Sequence, residues 1–232
     1  MKIVKTVAYG LFIICFPLLF LTSAVRLEVN STLLYEYGFD RYGVSEDTGI
    51  DREQLGNVAK RLVDYFNFRV ETPQMIVVIE GEEEIPLFQE NDQNRELTHL
   101  ADVRRLFQFN HQAQLASLAY IIIYALLFLL WRKGRWQDLV KGVRRGCALT
   151  LAVLAVLGIA SISIGFEQLF IQFHHFAFDN PWWVSSGYLP MLFPEGFWEG
   201  VAFLSGGIIA TEAVISGSIA WIIPFIYQRR KH

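Results

Sequence analysis

Four stretches of the chain, residues 3–25, 113–131, 146–166 and 201–227, run almost without charge. A helix needs about 20 apolar residues to cross a hydrocarbon core about 30 Å thick, and in that core every backbone N–H and C=O must be satisfied within the segment. Four such stretches in 232 residues exclude a soluble single domain. They also account for a hydrophobic content of 53%, above the roughly 45–50% of an average globular chain. Four membrane-spanning helices are the expectation.

Cation placement orients them. Lys2 and Lys5 precede the first stretch, Arg132, Lys133, Arg135, Lys141, Arg144 and Arg145 follow the second, and Arg229, Arg230 and Lys231 follow the fourth; these 11 cations share their flanks with one acid, Asp138. Residues 26–112 instead carry nine cations and 17 acids, a net of −8. By the positive-inside rule both termini (the second being 228–232) and the basic loop 132–145 are cytoplasmic, in the cell membrane, while 26–112 and 167–200 lie outside. The first stretch also has the pattern of a cleavable leader, ending in Thr22-Ser23-Ala24. Its removal would leave an odd number of spans, so a retained helix is expected. The net charge of −3, with no basic stripe, gives no footing for nucleic acid. Cys15 and Cys147, each in or beside an apolar stretch, read as packing residues.

The outer segment 26–112 is long enough for a small α+β domain. Asp51 with Gln54 resembles a capping box, and Leu55, Val58, Ala59, Leu62, Val63 and Phe66 recur at helical spacing, which predicts a helix over 51–68. Residues 74–79 and 85–88, joined by an acidic turn at 80–84, predict a short hairpin, with Pro86 on an edge strand. Leu97, Leu100, Val103, Leu106 and Phe107 form another stripe leading into the second span. An unbroken helix from His99 to Ala113 would lift His99 about 21 Å off the membrane. We therefore expect a helix over 95–109 lying on the membrane surface, with a turn near Asn110. The segment 167–200 is dense in aromatic residues, which suits the membrane–water boundary. Within it Asn180-Pro181 ends a helix, and 189–194 fits a turn or short re-entrant piece.

Chemistry centres on histidine. His99, His111, His174 and His175 all fall near the outer surface, whereas His232 ends the chain. His99 has Asp102 at i+3, where a carboxylate can orient the imidazole, with Arg104 and Arg105 just beyond. His174 has Glu167 and Asn180 as candidate partners. Imidazole suits general acid–base work at neutral pH. A metal held by His99, Asp102, His174 and His175 is the competing reading, without HExxH-like spacing behind it. No GxSxG elbow, P-loop or reactive-cysteine setting occurs, so a covalent serine or cysteine route is not expected. In the fourth span Gly206, Ala210, Ala213 and Gly217 allow close helix approach, and Glu212 needs either a partner or a wet, substrate-facing cavity.

Two blocks resemble a known family. NRELTHLADVRRLF is similar to its H-x-x-D-V-K/R-x-L-F block, and FHHFAFDNPWW followed by LFPEGFW is similar to its F-H-x-x-F-F-x-N-x-x-W and F-P-x-x-F-F blocks. YEYGFDRYG, Thr48-Gly49 and EQLGNVAKRLVDYF resemble its first outer segment. The family is the bacterial lipoprotein intramolecular transacylases (Lit), four-span membrane proteins with an outer domain. The resemblance implies transfer of the sn-2 acyl chain of a diacylglyceryl-modified lipoprotein to the α-amino group of its N-terminal cysteine, leaving a lyso form. It implies catalytic roles for His99, Asp102 and, by its spacing to Asn180 and Trp183, His174 (rather than His175); Asn180 and Trp183 are themselves candidate substrate-binding residues. To these we add Arg104, Arg105 and Glu212 as candidate substrate-binding residues. The partners are then a diacylated lipoprotein and membrane lipids, and no cofactor is needed. Ala177, Gly187 and Trp198 depart from the family pattern. The alternative is a non-enzymatic accessory subunit or lipid-binding scaffold of the same fold.

Overall fold

The computed structural model describes residues 2–79, 83–132 and 136–229. It resolves into two compact units, one of Met1–Val25, Asn110–Ser163 and Leu204–His232, the other of Arg26–Phe109 and Ile164–Phe203. Helices α1 (Lys2–Val29), α5 (Glu96–Arg132), α6 (Trp136–Ile164) and α9 (Glu195–Arg229) are long and apolar enough to cross a membrane.

Within the first unit these helices alternate in direction, as their contacts show. On α1, Phe12 and Phe16 stand where a Cβ on Gly142 and Gly146 of α6 would come within 2.7 and 2.5 Å of their rings. Residue numbers rise together, so α1 and α6 run parallel. Tyr120 of α5 donates its hydroxyl to the Ala8 carbonyl at 3.0 Å, whereas Gln114 reaches Ser23 at 3.0 Å and Asn110 the Thr22 carbonyl at 3.1 Å. Numbers there run oppositely, so α5 is antiparallel to α1. Arg144 of α6 donates twice to the Ala220 carbonyl of α9, at 2.9 and 3.1 Å, and a Cβ on Gly217 would sit 3.4 Å from Cys147, again an antiparallel register. Phe12, Phe16, Phe20, Ala24, Cys147, Ile209 and Ala213 form the buried seam. Of the small residues in α9, Ala213 and Gly217 are packed, while a Cβ on Gly206 would meet nothing.

Two expectations need correction. Residues 136–145, read as a basic loop, are the opening turns of α6. Their cations find partners: Lys141 pairs with Asp138 of the same helix at 3.0 Å, whereas Arg144 donates to the Ala220 carbonyl of α9 and Arg145 to the Tyr9 hydroxyl of α1 at 3.2 Å. Lys133 and Arg135 lie outside the described residues, as do Arg230, Lys231 and His232. The turn near Asn110 is also absent, because α5 runs unbroken for 37 residues, about 55 Å at the usual rise. It contains neither Gly nor Pro, and Asn110 spends its amide on Thr22 instead of on a turn. The apolar stripe that seemed to need a lipid surface packs on protein: Leu100 is buried, Leu97, Val103 and Phe107 flank it, and the Phe107 ring meets Phe66 edge-on at 4.9 Å.

The second unit is built round α4 (Arg52–Phe66), with α2 (Thr32–Arg41), α3 (Val44–Thr48), and the hairpin of β1 (Ile76–Ile79) and β2 (Glu83–Pro86). Asp51 caps α4 by accepting from the Gln54 N–H at 2.9 Å. The Gln54 side chain does not close a capping box on the Asp51 backbone; its amide grips both polar groups of Val78, at 2.7 and 2.9 Å, and so fastens the helix to β1. Gln74 does the same for Phe88, at 2.6 and 2.9 Å, extending the hairpin by one rung. Ile76 pairs with Pro86 in a two-stranded sheet, where every strand is an edge and a missing N–H is tolerated. The turn residues 80–82 lie outside the described residues. From the C-terminal side, α7 (Phe166–Ala177), set off from α6 by Gly165 at φ 87°, short α8 (Tyr188–Leu192) and the first turns of α9 join this unit. Phe193 and Phe197 enter the same core as Tyr35 and Phe39. Gly38 is required there, since a Cβ would lie 2.4 Å from the Phe197 ring.

Candidate functional site

His99 and His174 meet within the second unit. Their ring centroids are 6.2 Å apart and the planes are tilted by 33°, and both residues are buried, at 6% and 8% exposure. One stands in the first turns of α5, the other in the last turn of α7. Aromatic rings enclose them. Phe170, Trp183, Phe173 and Phe178 lie 4.1, 4.8, 5.4 and 5.5 Å from His174, and Phe178 is edge-on to His99 at 4.9 Å.

The tautomer of His174 follows from its bond. Nδ1 lies 2.8 Å from the Phe170 carbonyl oxygen, one helical turn back. A carbonyl only accepts, so Nδ1 carries the proton and Nε2 is left with its lone pair. Neither Glu167 nor Asn180, the partners expected from sequence, makes this contact. Burial among the rings, with His175 adding a smaller push, holds the His174 imidazole below its ordinary value of 6.5, although the Phe170 bond pulls the other way. It is thus neutral at neutral pH and able to accept a proton. His99 Nδ1 is buried without a hydrogen-bond partner among the described residues. A polar atom left thus is costly unless something fills the place.

The charged residues are arranged otherwise than spacing suggests. No hydrogen bond joins Asp102 to His99. One carboxylate oxygen of Asp102 is paired with Arg105, and the other accepts from Asn180 Nδ2 at 2.9 Å. Helical spacing allowed either partner at i±3, and the guanidinium took it. Arg104 is committed elsewhere: it lies over Tyr65 and Phe68, at 4.4 and 4.0 Å, and donates to the Val70 carbonyl at 3.0 Å and that of Glu71 at 3.4 Å. It tethers α5 to the chain that follows α4. Glu212 falls in the first unit, with Oε2 buried and unpartnered among the described residues. Trp183 walls both histidines of α7, 5.6 Å from His175 as well as beside His174. Among the described residues no three His, Cys, Asp or Glu side chains gather closely enough to hold a metal ion.

Glu96 went unnoticed in the sequence. It is fully buried and accepts from the Gln89 N–H at 2.8 Å, the Leu189 N–H at 2.7 Å and the Ser185 hydroxyl at 3.0 Å. Gly187, one of the departures noted above, lies against it: a Cβ there would be 2.5 Å from the carboxylate. A Glu three residues before a His on a helix reads as a solvated charge. Only its donors, two of them about ninety residues away in sequence, reveal it.

Four alternating membrane-type helices, with a unit that buries two neighbouring imidazoles among aromatic rings, define a multi-pass membrane protein with a histidine pair in a largely apolar setting. A family model described as lipoprotein intramolecular transacylase Lit matches residues 10–198. The chain belongs to that family and is an enzyme of that kind. Among solved structures it is similar to the membrane integral lipoprotein intramolecular transacylase Lit from Bacillus cereus, at TM-score 0.75 and 16% identity over 100% of both chains. Two variants of that protein with one histidine replaced match as well, at 16% identity over 100% of this chain. The arginine variant does so over 96% of its own chain (TM-score 0.75), the alanine variant over 97% (TM-score 0.73). At this identity the likeness establishes the fold. No curated protein matches the chain.

Proposed function

We propose that this enzyme moves the sn-2 acyl chain of a diacylglyceryl-modified lipoprotein onto the α-amino group of its N-terminal cysteine, at the outer leaflet of the cytoplasmic membrane, with both termini inside. The observation that carries the reading is the free Nε2 of a neutral, buried His174 beside a second imidazole. Amine nitrogen attacks the ester carbonyl carbon, a C–N bond forms, and His174 Nε2 takes the proton released from nitrogen. Collapse then breaks the bond from the acyl carbon to the glyceryl sn-2 oxygen, which leaves with a proton returned through His99 or His174. Counted from the neutral amine, no proton is gained or lost overall. Nucleophile and ester belong to one anchored molecule, so holding them together supplies effective molarity without an acyl-enzyme. Phe170 and Phe173 line the side from which acyl chains enter. Arg105, Asn180 and Trp183 are the remaining candidates for contact with the substrate head.

Mass spectrometry of lipoproteins from cells lacking and expressing the protein tests the reading. The expected product is N-acylated and S-monoacylglyceryl, appearing only with the protein. Unchanged diacyl lipoprotein in both would overturn it.

The state of His174 also sets a pH dependence. A base works when neutral, and burial moves its protonation to lower pH. Once titration of the substrate's α-amino group is divided out, kcat should stay level from neutrality down past the ordinary imidazole value of 6.5 and fall only below it. The same shift means that acid favours the unfolded chain, which binds the extra proton more readily, so stability too declines as pH drops through that range. A kcat midpoint above 6.5 would contradict this assignment.

A further inference from the structure

Glu96, His99 and Asp102 follow one another at three-residue spacing along one side of α5, so the two carboxylates flank the histidine. Both are bound to the same stretch of chain, residues 180–189. Asp102 holds its beginning through Asn180, and Glu96 holds its end through Ser185 and Leu189. Asn94 adds to the second fastening, its side-chain oxygen accepting from the Ser186 N–H at 3.0 Å. Trp183 sits between the two fastenings, with its ring 4.8 Å from His174.

We propose that Glu96 and Asp102 are positioning residues of the transacylase: a two-point carboxylate clamp that holds residues 180–189, and Trp183 with them, across the imidazole pair. The proposal rests on the histidine reading above. Every contact of Glu96 named here donates to it, so the site is matched to a group that only accepts. A buried carboxylate is an expensive way to pin a loop. What it delivers is a stiff wall at the reacting centre, where a misplacement of about 1 Å costs roughly 100-fold in rate.

Glu96→Gln tests it in the full-length protein in detergent or nanodiscs. An amide facing the Gln89 or Leu189 N–H is mismatched, so amides over residues 185–189 should exchange faster with deuterium. Turnover should fall roughly 100-fold. The acid limb of kcat should also move up toward 6.5, because a loosened Trp183 leaves His174 less buried. Faster exchange with unchanged kcat and an unchanged acid limb would reduce the clamp to scaffolding, and unchanged exchange would remove it. Should Glu96→Gln fail to fold, Ser185→Ala takes one donor from Glu96 and leaves two. The same three changes, smaller, are expected, and the same outcomes would overturn the clamp. His174→Ala, measured in parallel, separates the two ideas. Full turnover by that variant defeats the histidine reading, while the exchange data still decide whether the clamp exists.

Discussion

Replacing His174 with alanine is expected to lower turnover roughly 10²- to 10⁴-fold, the range lost with a positioned acid or base. Nε2 of His174 is the one ring nitrogen in the pair whose lone pair is fixed by a bond at the opposite side of the ring. His174→Gln separates chemistry from structure. A glutamine amide can donate to the Phe170 carbonyl as Nδ1 does, yet it offers no basic lone pair, so it should be as inactive as alanine while folding better. His99→Ala should cost a comparable factor, since its buried and unpartnered Nδ1 adjoins the same space. If the two imidazoles serve one proton transfer, the double variant is no slower than the worse single, because groups acting as a unit are non-additive. His175, exposed and set at right angles to the Trp183 ring, should matter little when changed to alanine. Turnover assays with purified variants and diacyl lipoprotein check all five. Near-normal rates from folded His99→Ala and His174→Ala would end the mechanism.

Much of this arrangement could be read from the chain, for reasons that differ by residue. The four long helices announce themselves because hydrocarbon demands unbroken apolar length, and α4 because its cap and stripe are both local. His99 and His174 were legible as a pair only through the two blocks that carry them, since nothing in spacing joins residues so far apart. The course of α5 was misread because a stripe shows that a face is buried, not what buries it. Lipid was the guess, and Phe66 with its neighbours was the answer. The partner of Asp102 differs from the expected one for a related reason. Asp102 stands three residues from both His99 and Arg105, so local geometry does not choose between them, and the choice was made by a guanidinium and by Asn180. Glu96 is the extreme case: all that marks it out in the fold, its three donors and the bare backbone at Gly187, lies outside its own helix turn or on distant segments.

The packing of α1 on α6 carries the largest structural prediction. Gly142 and Gly146, four residues apart on α6, meet Phe12 and Phe16, spaced likewise on the parallel α1, and Thr150 and Phe20 come next in the two rows; Gly142, Gly146 and Thr150 are buried, and so are all three rings. Lipid tails are as apolar as the helices, so nothing like the aqueous hydrophobic effect presses these two together. Close van der Waals contact must hold them instead. A side chain at Gly146 would put its Cβ 2.5 Å from the Phe16 ring and 2.8 Å from the Phe16 Cβ, which leaves the ring no retreat. Gly146→Leu should therefore cost more than the roughly 1–3 kcal/mol of ordinary overpacking and separate the helices. Gly158, on the same helix, has open space where its Cβ would be, so Gly158→Leu should leave the unfolding temperature in detergent nearly unchanged. Truncating the ring should reverse the lesion. Phe16→Ala destabilises the wild type by leaving a void, but in the Gly146→Leu background it makes room, and the two changes together should cost less than their sum. Additive losses would mean that the ring and the glycine do not meet as described.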